Sequence, residues 1–113
     1  MLNNLWIKIK YLLGFYEEDI KLEALYTGKW QTTRKNHLLK EPCCQICGHH
    51  KKVFVHHIIP ISIDPEKEND EENLVTLCFT CHLIFAHLYS FKSYNSNLRE
   101  DIEIWKNKIK NRP

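Results

Sequence analysis

The chain has little glycine and proline, the residues that most often interrupt helices and strands: three glycines and four prolines in 113 residues. It also has only one methionine. So little glycine and proline excludes a collagen-like or low-complexity chain and leaves little room for a flexible linker. No stretch reaches the roughly 18 uninterrupted apolar residues of a membrane span, so we expect no membrane contact. Hydrophobic residues make up 43% and charged residues 27%, which excludes intrinsic disorder and predicts one globular domain.

The formal net charge is only +2, but it is unevenly distributed. Residues 64–72 carry six acids and one lysine, so the rest of the chain carries +7. A basic body of this kind is compatible with a partner that has a phosphate backbone. The acidic stretch has no hydrophobic periodicity, so we predict a solvated loop there.

The five cysteines are an odd number, so a closed set of disulfides would leave one over. No secretory signal is recognisable, and we expect a reducing cytoplasm, where CxxC pairs bind metal more often than they form disulfides. Two CxxC turns can surround one ion as a tetrahedron. The alternatives are four free buried thiols, a shift of register to Cys43, or a substitute ligand from His49 or His50. The spacing predicts a structural zinc bound by Cys44, Cys47, Cys78 and Cys81.

Hydrophobic periodicity divides the chain into helices and two strands. It predicts an amphipathic helix over 2–13, which we expect to pack on the domain or on a partner, and a short helix over 17–26. The alternative for 2–13 is a helix on a membrane surface, which would favour more Lys and Arg on its polar face. A third helix over 30–40 should end before Pro42. Strands are expected over 53–59 and 74–77, helical spacing from 81 to 91, and a last helix from residue 98.

Histidines occur between and after the two cysteine pairs. Any one of them alone would most often be a partly buried, hydrogen-bonded imidazole, and adjacent histidines on a strand face opposite sides. Together with the cysteines, however, they form a pattern in a fixed order: KWQTTRKNHLLKEPCCQICG, VHHIIP, NLVTLC and CFTCH. This pattern resembles the HNH endonuclease family, in particular its small stand-alone members from bacteriophages and bacteria.

The resemblance implies an α+β fold with a ββα-metal (His-Me finger) core, in which a hairpin and the following helix enclose a catalytic metal. A structural zinc knuckle would clamp the hairpin to the helix, and helices would flank the core. We expect an N-terminal helical extension over 1–28, the nuclease domain over 29–97 and a C-terminal helix over 98–113. The implied activity is metal-dependent nicking or cleavage of DNA that leaves 5′-phosphate and 3′-hydroxyl ends.

The resemblance also implies roles for single residues. His57 matches the general base, and Asn73 matches the asparagine that orients the loop by hydrogen bonds to backbone. His56 and His82 match ligands of the catalytic ion, which could be Ni²⁺, Zn²⁺, Mn²⁺ or Mg²⁺, with imidazole favouring the first three. His87 lies five residues after His82, about 140° around a regular helix, so we expect it at the edge of the core, with metal ligation as the alternative.

DNA is the partner that the resemblance implies, and phage members of this type sit near the genome-packaging terminase. Basic residues before the knuckle are the expected phosphate contacts, with a solvated helix face as the alternative. They are Lys29, Arg34, Lys35 and Lys40. Two other functions remain open: a non-catalytic, zinc-stabilised nucleic-acid-binding module, and an assembly protein that interacts through its terminal helices.

Overall fold

The computed structural model describes residues 27–113, so the helices predicted over 2–13 and 17–26 lie outside the described residues. Three helices and two strands form the described part. They are α1 (Trp30–Lys40), β1 (Val53–His57), β2 (Leu74–Cys78), α2 (Phe79–Cys81), which continues as a π-helical turn (His82–Ala86), and α3 (Leu98–Lys110). The predicted α+β class is confirmed, and so are helix α1, both strands to within two residues, and the start of α3.

The two strands pair antiparallel, with His57 opposite Leu74 at one end and Val53 opposite Cys78 at the other. Strand β2 is buried along its whole length. Helix α1 lies against one side of the pair, where the Trp30 ring packs on His57. On the other side, Val75 joins buried residues of α3 in the hydrophobic core. The sheet therefore places successive residues of β1 in two different environments.

Local sequence explains how α1 and α3 begin and end. Helix α1 ends two residues before Pro42, as expected from the restricted backbone of a residue that precedes proline. Helix α3 has Glu100 and Asp101 in its first turn and Lys108 and Lys110 in its last, which complements the helix dipole. Within residues 27–113, every helix is too short or too polar to cross a membrane.

The connection over 58–73 is more ordered than the predicted solvated loop. It contains two short 3₁₀ turns, Pro65–Lys67 and Glu71–Asn73, which begin at Asp64 and Asp70. Each of these aspartates accepts a hydrogen bond from the backbone N–H two residues later, at 3.2 and 3.1 Å. The prediction is wrong for Glu68, which is buried and accepts hydrogen bonds from the backbone and hydroxyl of Thr27, just before α1.

The predicted regular helix over 81–91 is wrong as well. The backbone N–H of His87 bonds to the carbonyl of His82 at 3.1 Å, a span of five residues instead of four. The helical structure stops at Ala86, and Leu88 and Tyr89 both have positive φ, at 53° and 67°. Residues 82–90 contain no glycine or proline, so turn residues in the sequence do not predict where the helix ends.

Candidate active site

Four thiols come together at the junction of the first cysteine pair with the end of β2. The sulfur atoms of Cys44, Cys47, Cys78 and Cys81 all lie within 4.8 Å of one another, as predicted from their spacing. The sulfurs of Cys47 and Cys78 are 3.6 Å apart. Two sulfurs bound to one tetrahedral zinc, each at about 2.3 Å, would be about 3.8 Å apart. The four cysteines are therefore positioned to form a zinc knuckle.

Backbone hydrogen bonds hold the knuckle in shape and attach it to the sheet. Gly48, at φ 79°, donates to the carbonyl of Cys44 at 2.9 Å and closes the CxxC turn. The N–H of Gln45 bonds to the carbonyl of Thr76 at 3.0 Å, which ties this turn to β2. Within the described residues, Cys43, His49 and His50 lie outside the cluster, so these alternatives do not supply the fourth ligand atom.

Hydrogen bonds among the thiols shift their pKa values in opposite directions. A hydrogen bond from the thiol of Cys81 lowers the pKa of Cys44 to about 4, despite the opposing effect of burial. The same hydrogen bond raises the pKa of Cys81. Cys44 is therefore a thiolate at neutral pH, and a divalent cation would displace the thiol protons of its neighbours.

Three histidines from β1 and from the turn that follows α2 converge as a second cluster. His56 comes from β1, while His82 and His87 come from the two ends of the π-helical turn. The Nε2 atom of His82 lies 3.1 Å from Nδ1 of His56 and 3.1 Å from Nε2 of His87. The wider turn brings His87 onto the same side as His82, where a regular helix would not place it. A regular helix with 3.6 residues per turn would place His87 about 140° from His82, so the sequence pattern alone did not predict this arrangement.

The chemistry of these three nitrogens fits a divalent ion. Burial lowers the pKa of His56 well below its ordinary value and that of His82 to about 3, so both rings are neutral at pH 7. The Nδ1 of His87 donates to the carbonyl of Ser93 at 2.8 Å, so that in its neutral form the ring has its lone pair on the Nε2 that faces His82. Lone pairs in such proximity repel unless a proton or a cation lies among them. Nitrogens at about 2.1 Å from a tetrahedral ion would be about 3.4 Å apart, close to the observed spacing.

Within residues 27–113, one ring nitrogen of each of two histidines in this cluster has no hydrogen-bond partner. Nε2 of His56 and Nδ1 of His82 are buried without a hydrogen-bond partner. Such a buried group costs about 1–3 kcal/mol of folding free energy. Ligation at the opposite nitrogen of each ring would offset this cost, because binding to a preformed site stabilises the folded state.

His57 follows His56 on the strand and faces α1. Its ring centroid lies 4.4 Å from that of Trp30, and its Nε2 donates to the carbonyl of Glu68 at 2.8 Å. A neutral imidazole that donates from Nε2 carries its lone pair on Nδ1. Burial lowers the pKa of His57, with Glu68 acting in the opposite direction, so the ring is neutral at pH 7 and can accept a proton.

Asn73 is buried at the point where the 58–73 connection re-enters the sheet. Its Oδ1 accepts from the N–H of Ile59 at 2.8 Å, and its Nδ2 donates to the carbonyls of Ile59 and Lys67 at 3.0 and 3.3 Å. These bonds join the two ends and the middle of the connection. The residues expected to contact phosphate, Lys29, Arg34, Lys35 and Lys40, lie exposed or partly exposed along α1.

Comparison with known proteins identifies the region that contains these groups. The family model for HNH endonuclease matches residues 44–84, from the first knuckle cysteine to two residues past His82. No match was found among curated proteins or among solved structures. The matched region contains the paired cysteines, the two strands and the start of the π-helical turn. Residues 44–84 of this chain are therefore similar to the HNH endonuclease family over the region that contains the four clustered cysteines and two of the three clustered histidines.

Proposed function

We propose that this chain is a metal-dependent endonuclease that hydrolyses phosphodiester bonds of DNA. The observation that carries the proposal is the convergence of three imidazole nitrogens beside a fourth histidine, His57, whose Nε2 donates to a backbone carbonyl. In this proposal His56, His82 and His87 hold the catalytic ion, and Asn73 holds the loop that carries the carbonyl. Three imidazoles favour Zn²⁺ or Ni²⁺ over Mg²⁺.

The reaction is a hydrolysis in which His57 moves one proton. Nδ1 of His57 accepts a proton from a water molecule while the water oxygen forms a bond to phosphorus. The bond from phosphorus to the 3′ oxygen breaks, and that oxygen takes up a proton, so the products are a 3′-hydroxyl and a 5′-phosphate. An ion held by His56, His82 and His87 would supply Lewis-acid chemistry to this reaction. The neutral state of His57 suits the role of a base at physiological pH.

Several surface properties support DNA as the substrate. Outside the acidic residues 64–72 the chain carries +7. Lys29, Lys35 and Lys40 are exposed on and just before α1, where they are available to phosphate oxygens. A reducing cytoplasm, in a bacterium or a phage-infected cell, is the compartment that suits a thiolate zinc site and a DNA substrate. A packaging terminase is the partner that the resemblance to phage members suggests.

Nicking of supercoiled plasmid tests the proposal. Purified full chain is incubated with plasmid and Mg²⁺, Mn²⁺, Ni²⁺ or Zn²⁺, and open-circle product is measured over time. We expect nicking with at least one ion and a loss of about 100-fold or more in His57→Ala, since general-base catalysis contributes 10²–10⁴-fold. The control is His50→Ala, which removes an exposed histidine outside both clusters and should retain wild-type activity.

The same experiment separates the rival functions. DNA retention in a gel shift without nicking by any ion would indicate a zinc-stabilised binding module. Absence of both binding and nicking would leave assembly through the terminal helices. Equal nicking by wild type and His57→Ala would exclude His57 as the base.

A further inference from the structure

The acidic stretch contains a buried carboxylate. Glu68 is only 5% exposed, although its neighbours in the sequence are mostly acidic and solvent-facing. Burial of a carboxylate is costly unless hydrogen bonds compensate it, so the partners of Glu68 indicate what holds it in place. Its Oε1 accepts from the backbone N–H of Thr27 at 2.7 Å and from the Thr27 hydroxyl at 3.1 Å.

The main chain of the same residue contacts the candidate base. The carbonyl of Glu68 accepts the Nε2 proton of His57 at 2.8 Å. Thr27, the Glu68 side chain, the Glu68 carbonyl and the His57 ring therefore form one continuous series of hydrogen bonds. A displacement of the Glu68 side chain would move the carbonyl to which His57 donates.

Helix α1 supports this series at further points. Thr33 Oγ1 lies 2.7 Å from Oδ1 of Asn69, and His37 Nδ1 lies 2.7 Å from Oε1 of Glu71. The ring of Trp30, from the same helix, packs on His57. The loop next to Glu68 and the ring of His57 are thus both held against one rigid element.

We propose that Glu68 is a positioning residue for His57: anchored by Thr27, it holds its own carbonyl where the His57 Nε2 proton binds, which keeps the lone pair on Nδ1. This inference rests on the proposed role of His57 as the general base. Since a neutral imidazole has two tautomers, a fixed acceptor at Nε2 selects the one in which Nδ1 can accept a proton. Loss of the anchor would allow the other tautomer and a rotated ring.

The test combines nitrogen NMR of the His57 ring with single-turnover nicking of the zinc-loaded full chain. We expect the Nε2-protonated tautomer in the wild type. Glu68→Ala should give a mixture of tautomers and a nicking rate about tenfold to 100-fold lower, because small misplacements of a catalytic group have effects of that size. DNA affinity should stay within about twofold of wild type, since Glu68 lies outside the basic surface.

Matched variants distinguish a positioning role of Glu68 from the effect of removing any negative charge from the loop and from the effect of unfolding the protein. Glu68→Gln keeps an oxygen that accepts from Thr27 and should retain the tautomer and most of the rate. Thr27→Val should shift both readouts in the direction of Glu68→Ala but less, because its backbone donor remains, and Thr27→Ser should restore them. Glu66→Ala removes an exposed acid of the same loop and should match wild type.

Two outcomes would overturn the inference: a single wild-type tautomer together with a wild-type rate in Glu68→Ala, or losses of equal size in Glu66→Ala. If Glu68→Ala does not fold, the Thr27→Val and Thr27→Ser pair decides by the same readouts. If the wild type nicks no DNA, the proposed function fails, and the tautomer measurement still decides whether Glu68 positions His57.

Discussion

The four-cysteine cluster and the three-histidine cluster meet at consecutive residues, since Cys81 ends α2 and His82 begins the π-helical turn. They differ in the number of ligand atoms that each provides. Four thiols complete a tetrahedral ion and leave no open position, as in structural zinc sites. Three imidazoles leave a position for water or a phosphate oxygen, as in catalytic sites. Ligand number thus distinguishes a site that stabilises the fold from one suited to chemistry.

The backbone differs between the two regions as well. Where the knuckle turn needs a positive φ, the chain has Gly48. After the histidine turn it has Leu88 and Tyr89 in that region, although each such residue costs about 1–2 kcal/mol of conformational free energy. Leu88 and Tyr89 are 54% and 72% exposed, so packing of their side chains offsets little of this cost. One further residue of this kind, Lys52 at φ 51°, lies between the knuckle and β1, so the histidine side has two such residues and the knuckle side one. The larger share lies on the histidine side, in keeping with the tendency of strain to occur at functional sites.

The largest effect should come from removing a knuckle ligand. We expect Cys78→Ser to lose its zinc and its cooperative unfolding transition, because a structural zinc supplies on the order of 10 kcal/mol to a small domain. Zinc content and circular dichroism during heating measure this. Cys43→Ser is the matched control and should retain about one zinc per chain at the knuckle. A Cys78→Ser protein that keeps the wild-type melting temperature would show that the knuckle does not maintain the fold.

A smaller effect, confined to metal affinity, is expected on the histidine side. His87→Ala should weaken Ni²⁺ binding to the zinc-loaded protein by about tenfold or more, because one of three ligand nitrogens is lost. Calorimetric titration gives the affinity, and the melting temperature of the metal-free site should change little compared with the knuckle variants. His50→Ala should bind Ni²⁺ like the wild type. Equal affinity in His87→Ala would remove His87 from the ligand set.

The smallest effects should be on the free energy of unfolding, and substitutions at positive φ should change it in opposite directions in the knuckle turn and after the histidine turn. Tyr89→Gly should raise the free energy of unfolding by about 1 kcal/mol, since glycine adopts positive φ without a steric cost, whereas Tyr89→Ala should not. Gly48→Ala should lower it by about 1 kcal/mol through the backbone alone, because no atom lies within 4 Å of a Cβ placed there. Urea denaturation measures both. A stabilised Gly48→Ala or a destabilised Tyr89→Gly would contradict the comparison.

Much of the fold was predictable because its signals are local. Helix α1 ends before Pro42, the β-branched and aromatic run at the start of VFVHHIIP forms β1, and the two CxxC pairs come together as their spacing implies. The resemblance of VHHIIP, NLVTLC and CFTCH to one family singled out His57 and Asn73. The structure places both at the 58–73 connection, where each bonds to its backbone.

Other features depend on contacts between distant residues. Composition predicted a solvated stretch over 64–72, but Thr27, 41 positions before Glu68, contacts its carboxylate, and the residue is buried. Periodicity predicted a regular helix after Cys81, but a π-helical turn forms there and ends in Leu88 and Tyr89. Nothing in the composition of residues 64–72 distinguishes Glu68 from its exposed acidic neighbours, and no glycine or proline lies within residues 82–90.

The sequence by itself determined each CxxC pair, because two thiols three residues apart are brought together by a single turn, and the repeat of that spacing predicted that both pairs share one ion. Only the tertiary structure decided the histidine cluster. His56 and His82 are 26 positions apart, and His87 joins them through a turn of unusual pitch. The direction of a lone pair depends on ring orientation and on the hydrogen bond at the other nitrogen, and those are set by strand pairing and by the loop packed on α1.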